Sequence, residues 1–153
     1  MQIATYNIWN SVTDKTERQE ILCQELNRVD ADVVALQEVS AIAEQGYPQY
    51  PQTVFRRYPE EGKEGLGEEG LGFLSKFPVL SAEAGWEFST ALHNCGLRIK
   101  LRINESSVAV TNVHLDYKSV AVREAQILAV NDWVAARSEP DCVEILCGDF
   151  NSW

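Results

Sequence analysis

A chain of 153 residues that is 45% hydrophobic and 24% charged carries enough apolar material for one packed domain and too much for a disordered segment. Its formal charge of −10 argues against a sequence-blind polyanion binder, which needs a basic footprint, so no stable nucleic-acid binding is expected. Phosphate chemistry stays open, because a bound divalent cation can supply positive charge locally.

The opening Met1-Gln2-Ile3-Ala4-Thr5-Tyr6 lacks the basic start and long apolar stretch of an export leader. Apolar runs such as Val33-Val34-Ala35-Leu36 are far too short to span a bilayer. We therefore expect no transmembrane segment and a cytoplasmic location. Cys23, Cys95, Cys142 and Cys147 are scattered, show no CxxC spacing, and have only His93 and His114 as imidazole company. They read as reduced, mostly buried thiols rather than a zinc site.

In chain order, residues 2–8 read as a strand that turns at Asn10-Ser11. Residues 16–29 read as a helix with Ile21, Leu22, Leu26 and Val29 on one side. Residues 32–39 form a buried-type strand, and 53–57 another after the breaks at Pro48 and Pro51. Residues 58–70 read as a Gly- and Glu-rich loop. Strands resume at 71–76 and at 79–82. Residues 96–103 and 107–115 form a hairpin turning at Asn104-Glu105-Ser106. Residues 120–137 are a second helix stopped by Pro140, and 143–147 a final strand. Strands outnumber helices and several are joined as hairpins, so the sheet is mixed or antiparallel. A single domain over residues 1–153 is expected.

Several apolar runs finish in polar residues. Ile3-Ala4-Thr5-Tyr6 ends in Asn7, and Val33-Val34-Ala35-Leu36 ends in Gln37-Glu38. The run 108–113 contains Asn112 and ends in His114, and 143–147 ends in Gly148-Asp149-Phe150-Asn151. Taken singly, Asn7 reads as a turn residue, Glu38 as a solvated strand end, His114 as a structural histidine, and 148–151 as a turn. Taken together, strand ends that gather oxygen donors and one imidazole at a single rim suit a hard cation such as Mg²⁺.

Five segments also carry a resemblance: Thr5-Tyr6-Asn7-Ile8-Trp9, Leu36-Gln37-Glu38-Val39, residues 69–79, Thr111-Asn112-Val113-His114-Leu115-Asp116, and Gly148-Asp149-Phe150-Asn151. In order and context they resemble the successive signatures of the endonuclease/exonuclease/phosphatase (DNase I-like) superfamily. The resemblance implies an α/β, or α+β, four-layer sandwich of mixed sheets flanked by helices, and a Mg²⁺-dependent phosphoesterase, with Mn²⁺ as an alternative ion. It implies Glu38 as principal metal ligand and Asn7 as support for metal or phosphate. Asp149 would orient or activate the attacking water, Asn151 would bond a phosphate oxygen, and His114 would donate to the phosphate. Glu69 stands where a family carboxylate can hold that imidazole. Histidine at 114, where abasic-site endonucleases of the superfamily carry tyrosine, argues against that branch.

The pattern also departs from the family, whose members continue past the Gly-Asp-x-Asn turn to an Asp-His pair. Residues 150–153 contain none. The resemblance therefore implies a domain incomplete at its C-terminal side and inactive as it stands, with a non-catalytic binding or assembly module as the alternative. Arg98, Lys100 and Arg102 form a one-sided basic stripe, read either as a solvated outer face or as steering for an anionic substrate. Arg123 and Gln126 read as residues that hold the second helix. His93 is not expected to be catalytic.

Overall fold

A computed structural model describes residues 1–9, 15–39, 47–59, 69–92 and 95–152. The sequence readings at Asn10-Ser11, at His93 and across most of the 58–70 loop lie outside the described residues. The described elements are β1 (Ile3–Asn7), α1 (Lys15–Val29), β2 (Val33–Val39), β3 (Gln52–Arg57), β4 (Gly70–Ser75), β5 (Val79–Ala84), β6 (Gly96–Ile103), β7 (Ser106–His114), α2 (Val120–Ala135) and β8 (Cys142–Asp149). They match the sequence expectations to within a few residues at each end.

Two four-stranded sheets result, in the orders β1-β2-β4-β3 and β5-β6-β7-β8. β1 and β2 are parallel, joined through α1, and β7 and β8 are parallel, joined through α2. All other pairings are antiparallel. Strand periodicity sorts the side chains into three apolar layers. Val34, Leu36 and Leu74 of the first sheet pack beneath Leu22 and Leu26 of α1. Val33, Ala35, Leu71 and Phe73 meet Leu97, Ile99, Leu101, Val108 and Val110 between the sheets. Val113, Leu115 and Cys95 pack against Val130 and Trp133 of α2. The order helix, sheet, sheet, helix is the expected four-layer sandwich. Among the described residues, no helix is long and apolar enough to cross a membrane.

Three readings change. Ile21 does not join Leu22 and Leu26 on the buried side of α1 but is exposed, because only a narrow stripe of that helix meets the sheet. The basic stripe on β6 is neither open nor solvated throughout. Arg98 is 4% exposed and pairs with Glu144 at 2.6 Å, while Lys100 pairs with Glu139 at 2.7 Å. The chain leaving α2 folds its acidic residues over those cations, so little charge remains there to steer a substrate. Of the four free cysteines, only Cys95 is fully buried, and Cys23, Cys142 and Cys147 are half-buried. Desolvation pushes the Cys95 thiol up to about 12 and the Cys147 thiol up to about 11.

One polar contact lies inside the inter-sheet layer. Gln37 and Asn112, both buried, face each other from β2 and β7, with Gln37 Nε2 donating to Asn112 Oδ1 at 2.7 Å. Asn112 Nδ2 in turn donates to the carbonyls of Leu36 at 2.8 Å and Gly72 at 3.1 Å. Buried amides are tolerated when their donors and acceptors are paired, and costly when they are not. Asn112→Ala should therefore lower unfolding free energy by roughly 3 kcal/mol, about 1 kcal/mol for each lost bond. Its neighbour Thr111 has a buried hydroxyl with no hydrogen-bond partner among the described residues, so Thr111→Val should be neutral or stabilising. Urea titration of both variants checks the contrast.

Candidate active site

The strands β1, β2, β7 and β8 end at one rim. β7 and β8 run in register so that His114 lies beside Asp149, and β1 and β2 place Asn7 beside Gln37. The register of β2 against β4 then shifts between Leu36 and Val39, and Glu38 adopts a left-handed φ of 57°. A strained non-glycine residue of this kind persists only where its surroundings hold it, and such residues cluster at functional sites. Here the shift turns the Glu38 side chain toward the rim instead of along the alternation of the strand.

Asn7 connects the two sheets at this rim. Its Nδ2 donates to Glu38 Oε1 and to Asp149 Oδ2, both at 2.9 Å. Its Oδ1 accepts from the backbone N–H of Trp9 at 2.8 Å. Asn7 thus holds the turn after β1 with its side-chain oxygen while its amide nitrogen links Glu38 and Asp149. Asp149 Oδ1 accepts from the Asn151 N–H at 2.9 Å, which tightens the 148–151 turn. Asn151 Nδ2 donates to Leu115 O at 2.8 Å. An amide nitrogen carries two hydrogens, and Leu115 takes one of them.

His114 stands over Glu38, with Nε2 at 3.9 Å from Oε1. Its Nδ1 lies 3.4 Å from the Tyr58 hydroxyl. Burial, then the charges of Glu69, Glu38 and Cys95, hold the Tyr58 phenol well above its ordinary range. A neutral phenol can donate to Nδ1, which leaves the imidazole proton on Nε2, the nitrogen nearer Glu38. The Tyr58 ring is itself fixed edge-on against Trp86 at 5.5 Å. Glu69 sits beside Tyr58, its carbonyl accepting the Tyr58 N–H at 3.0 Å and its carboxylate acting on the phenol.

All six residues singled out in the sequence, Asn7, Glu38, Glu69, His114, Asp149 and Asn151, thus lie in one neighbourhood. Sequence reading missed Tyr58, which follows β3 directly and gives no local signal. It also took Gln37 and Asn112 for parts of strand ends and not for a link between sheets. The polar pair on α2 holds a loop: Arg123 Nη1 donates to Asp116 O at 3.0 Å, and Gln126 Oε1 accepts the Asp116 N–H at 2.7 Å. Those bonds tie the start of α2 to the segment just after His114.

The donor set can be tested for a metal. No group of three or more His, Cys, Asp and Glu side chains placed to hold a metal ion occurs among the described residues, so a zinc-type cage is absent there. Glu38 and Asp149 instead bring carboxylate oxygens to one rim, the donor type a hard cation takes together with water and substrate, while Asn7 turns its Nδ2 toward them and its Oδ1 to the Trp9 N–H. The residues fit Mg²⁺.

The two-sheet sandwich, with helices on both outer faces, brings carboxylate, amide and imidazole side chains to one rim at its strand ends. The sequence profile of the Endonuclease/Exonuclease/phosphatase family matches residues 4–153, and the chain belongs to that family. No curated protein matches it significantly in sequence. Among solved structures, it is similar to a functionally unknown conserved protein from Enterococcus faecalis V583, at 22% identity and a TM-score of 0.77, covering 99% of this chain and 67% of that one. It is also similar to a humanized TDP2 of D. rerio, at 19% identity and a TM-score of 0.74, covering 100% of this chain and 63% of that one. The third is sphingomyelinase C from Streptomyces griseocarneus, at 20% identity and a TM-score of 0.73, covering 99% and 64%. The chain thus spans about two thirds of the length of these neighbours, and the likeness concerns their fold.

Gly148 is the backbone feature most exposed to test. Its φ of 138° suits glycine alone, and a Cβ there would lie 2.0 Å from the Val113 carbonyl oxygen. Gly148→Ala should cost roughly 3 kcal/mol or more of stability and displace Asp149 from Asn7. Urea titration and the Asn7 side-chain amide resonances in NMR spectra check both effects.

Proposed function

We propose that this chain is the front portion of a Mg²⁺-dependent phosphoesterase that hydrolyses a phosphodiester or phosphomonoester by attack of water. The observation that carries the reading is Asn7 Nδ2 bridging Glu38 and Asp149 with His114 alongside. Glu38 would hold the metal, with Asn7 locking its orientation. Bound there, Mg²⁺ supplies Lewis-acid polarisation of the phosphoryl group. His114 donates from Nε2 to a phosphoryl oxygen as negative charge builds, and Asn151 donates its second amide hydrogen. Asp149, fixed by Asn7 and by the Asn151 N–H, orients the attacking water. Glu69, through its charge beside Tyr58, keeps the His114 side of the rim in place.

Residues 150–153 contain no Asp-His pair, the pair that the family resemblance assigns to the activation of water. The substrate would be a phosphate ester of a small molecule, a lipid head group or a nucleic acid, with stable binding of a long duplex disfavoured by the charge of −10. A cytoplasmic site of action is supported by four free thiols.

The test uses bis(4-nitrophenyl) phosphate with Mg²⁺, residues 1–153, and a form extended along the reading frame. Residues 1–153 should show no significant turnover, and the extended form should be active. In the extended form His114→Ala should lower kcat about a hundredfold or more. Glu38→Gln should remove most of the Mg²⁺-dependent activity and also abolish the rise in Tm that millimolar Mg²⁺ produces in the parent. Turnover that survives both the Glu38 change and a chelator would overturn the metal mechanism, and equal turnover by the short and extended forms would overturn the division of the site.

A further inference from the structure

Two residues beyond Asn7, the chain exposes a large aromatic side chain at the edge of the site. Trp9 is 67% exposed and has a left-handed φ of 48°. Exposing an indole forgoes the burial that would stabilise it, and holding a bulky residue at positive φ adds strain. Both costs are met by specific contacts. The Trp9 N–H is held by Asn7 Oδ1 at 2.8 Å. Arg18 Nη2 donates to Ile8 O at 2.6 Å, and the Arg18 guanidinium carbon lies 4.8 Å from the centre of the Trp9 ring. Arg18 therefore lies against one face of the indole, and the backbone of Trp9 is fixed to the same amide that bridges Glu38 and Asp149.

We infer that the indole of Trp9, backed by Arg18, is a stacking platform for a planar aromatic group on the phosphate ester, a nucleobase or aryl moiety next to the phosphate bound at the rim. This deepens the phosphoesterase reading and rests on it for the position of the phosphate. The guanidinium decides the chemistry. A cation already occupies the attractive quadrupole of the ring from one side. A quaternary ammonium on the opposite face, as in a choline head group, would add a second positive charge across one ring and be repelled. A neutral π-face meets no such penalty and can stack on the face of the indole opposite Arg18. One such platform with no basic track suits a mononucleotide-sized ester.

The experiment measures equilibrium binding of adenosine 5′-monophosphate, ribose 5-phosphate and phosphocholine by ligand-observed NMR in Mg²⁺, with residues 1–153, Trp9→Ala, Trp9→Phe and Glu38→Gln. The side chain at position 9 is exposed, so these variants should fold. Adenosine monophosphate should bind the parent more tightly than ribose 5-phosphate by about fivefold to about 150-fold, the span that base–aromatic stacking commands. Trp9→Ala should abolish that preference and Trp9→Phe should retain part of it. Glu38→Gln should weaken both phosphates alike and leave their ratio intact. A ratio unchanged by Trp9→Ala, no preference for the base in the parent, or tightest binding of phosphocholine overturns the platform. Base binding that depends on Trp9 but is untouched by Glu38→Gln upholds the platform and sinks the phosphoesterase reading.

Discussion

The hydrogen bond between Gln37 and Asn112 is the constraint on which the site depends. Burial of apolar side chains holds the two sheets together, but it is non-directional and does not by itself single out one lateral register. Two buried amides are not indifferent. Gln37 Nε2 reaches Asn112 Oδ1 at 2.7 Å and Thr5 Oγ1 at 3.0 Å, and Asn112 Nδ2 bonds two carbonyls of the opposite sheet. In a low-dielectric layer, a slide that broke these bonds would leave polar groups without partners. Glu38 follows Gln37 by one residue and His114 follows Asn112 by two, so the latch sets the distance between the two halves of the rim.

Electrostatics follow from the same economy of placement. Cations on the outer face of the second sheet are closed off by acids: Arg98 by Glu144, Lys100 by Glu139, and Arg137 by Glu83 at 2.7 Å. Such pairs, mostly half-exposed, contribute register more than stability. At the rim the balance reverses, and two carboxylates face one neutral amide and an imidazole. Negative charge is therefore concentrated at these strand ends.

Most of the architecture was legible because its signals are periodic or positional. Alternation along 96–103 and the apolar runs at 33–36 and 143–147 marked strands, and polar residues at the ends of those runs marked the rim. What stayed hidden depends on distant partners. Nothing near Arg98 announces that Glu144, from the far side of α2, will bury it. Tyr58 became part of the site only because its position just after β3 brings its hydroxyl beside His114 of β7. Ile21 was misplaced because helical spacing gives the direction of a side chain but not the width of the surface it meets. The Glu38 bulge was equally invisible, since no glycine or proline marks it.

The two parallel units have a further consequence. β1-α1-β2 and β7-α2-β8 face each other across the sandwich, and all four of their strands end at the rim. They meet along a line where β1 lies opposite β8 through Asn7 and Asp149, and β2 opposite β7 through Gln37 and Asn112. Across it the partners are unlike, amide against carboxylate at Asn7 and Asp149, and glutamine against asparagine at the latch. Neither unit alone owns a working set of donors, so the rim is a seam. A load that shears one unit past the other would disarm it before either unit unfolds.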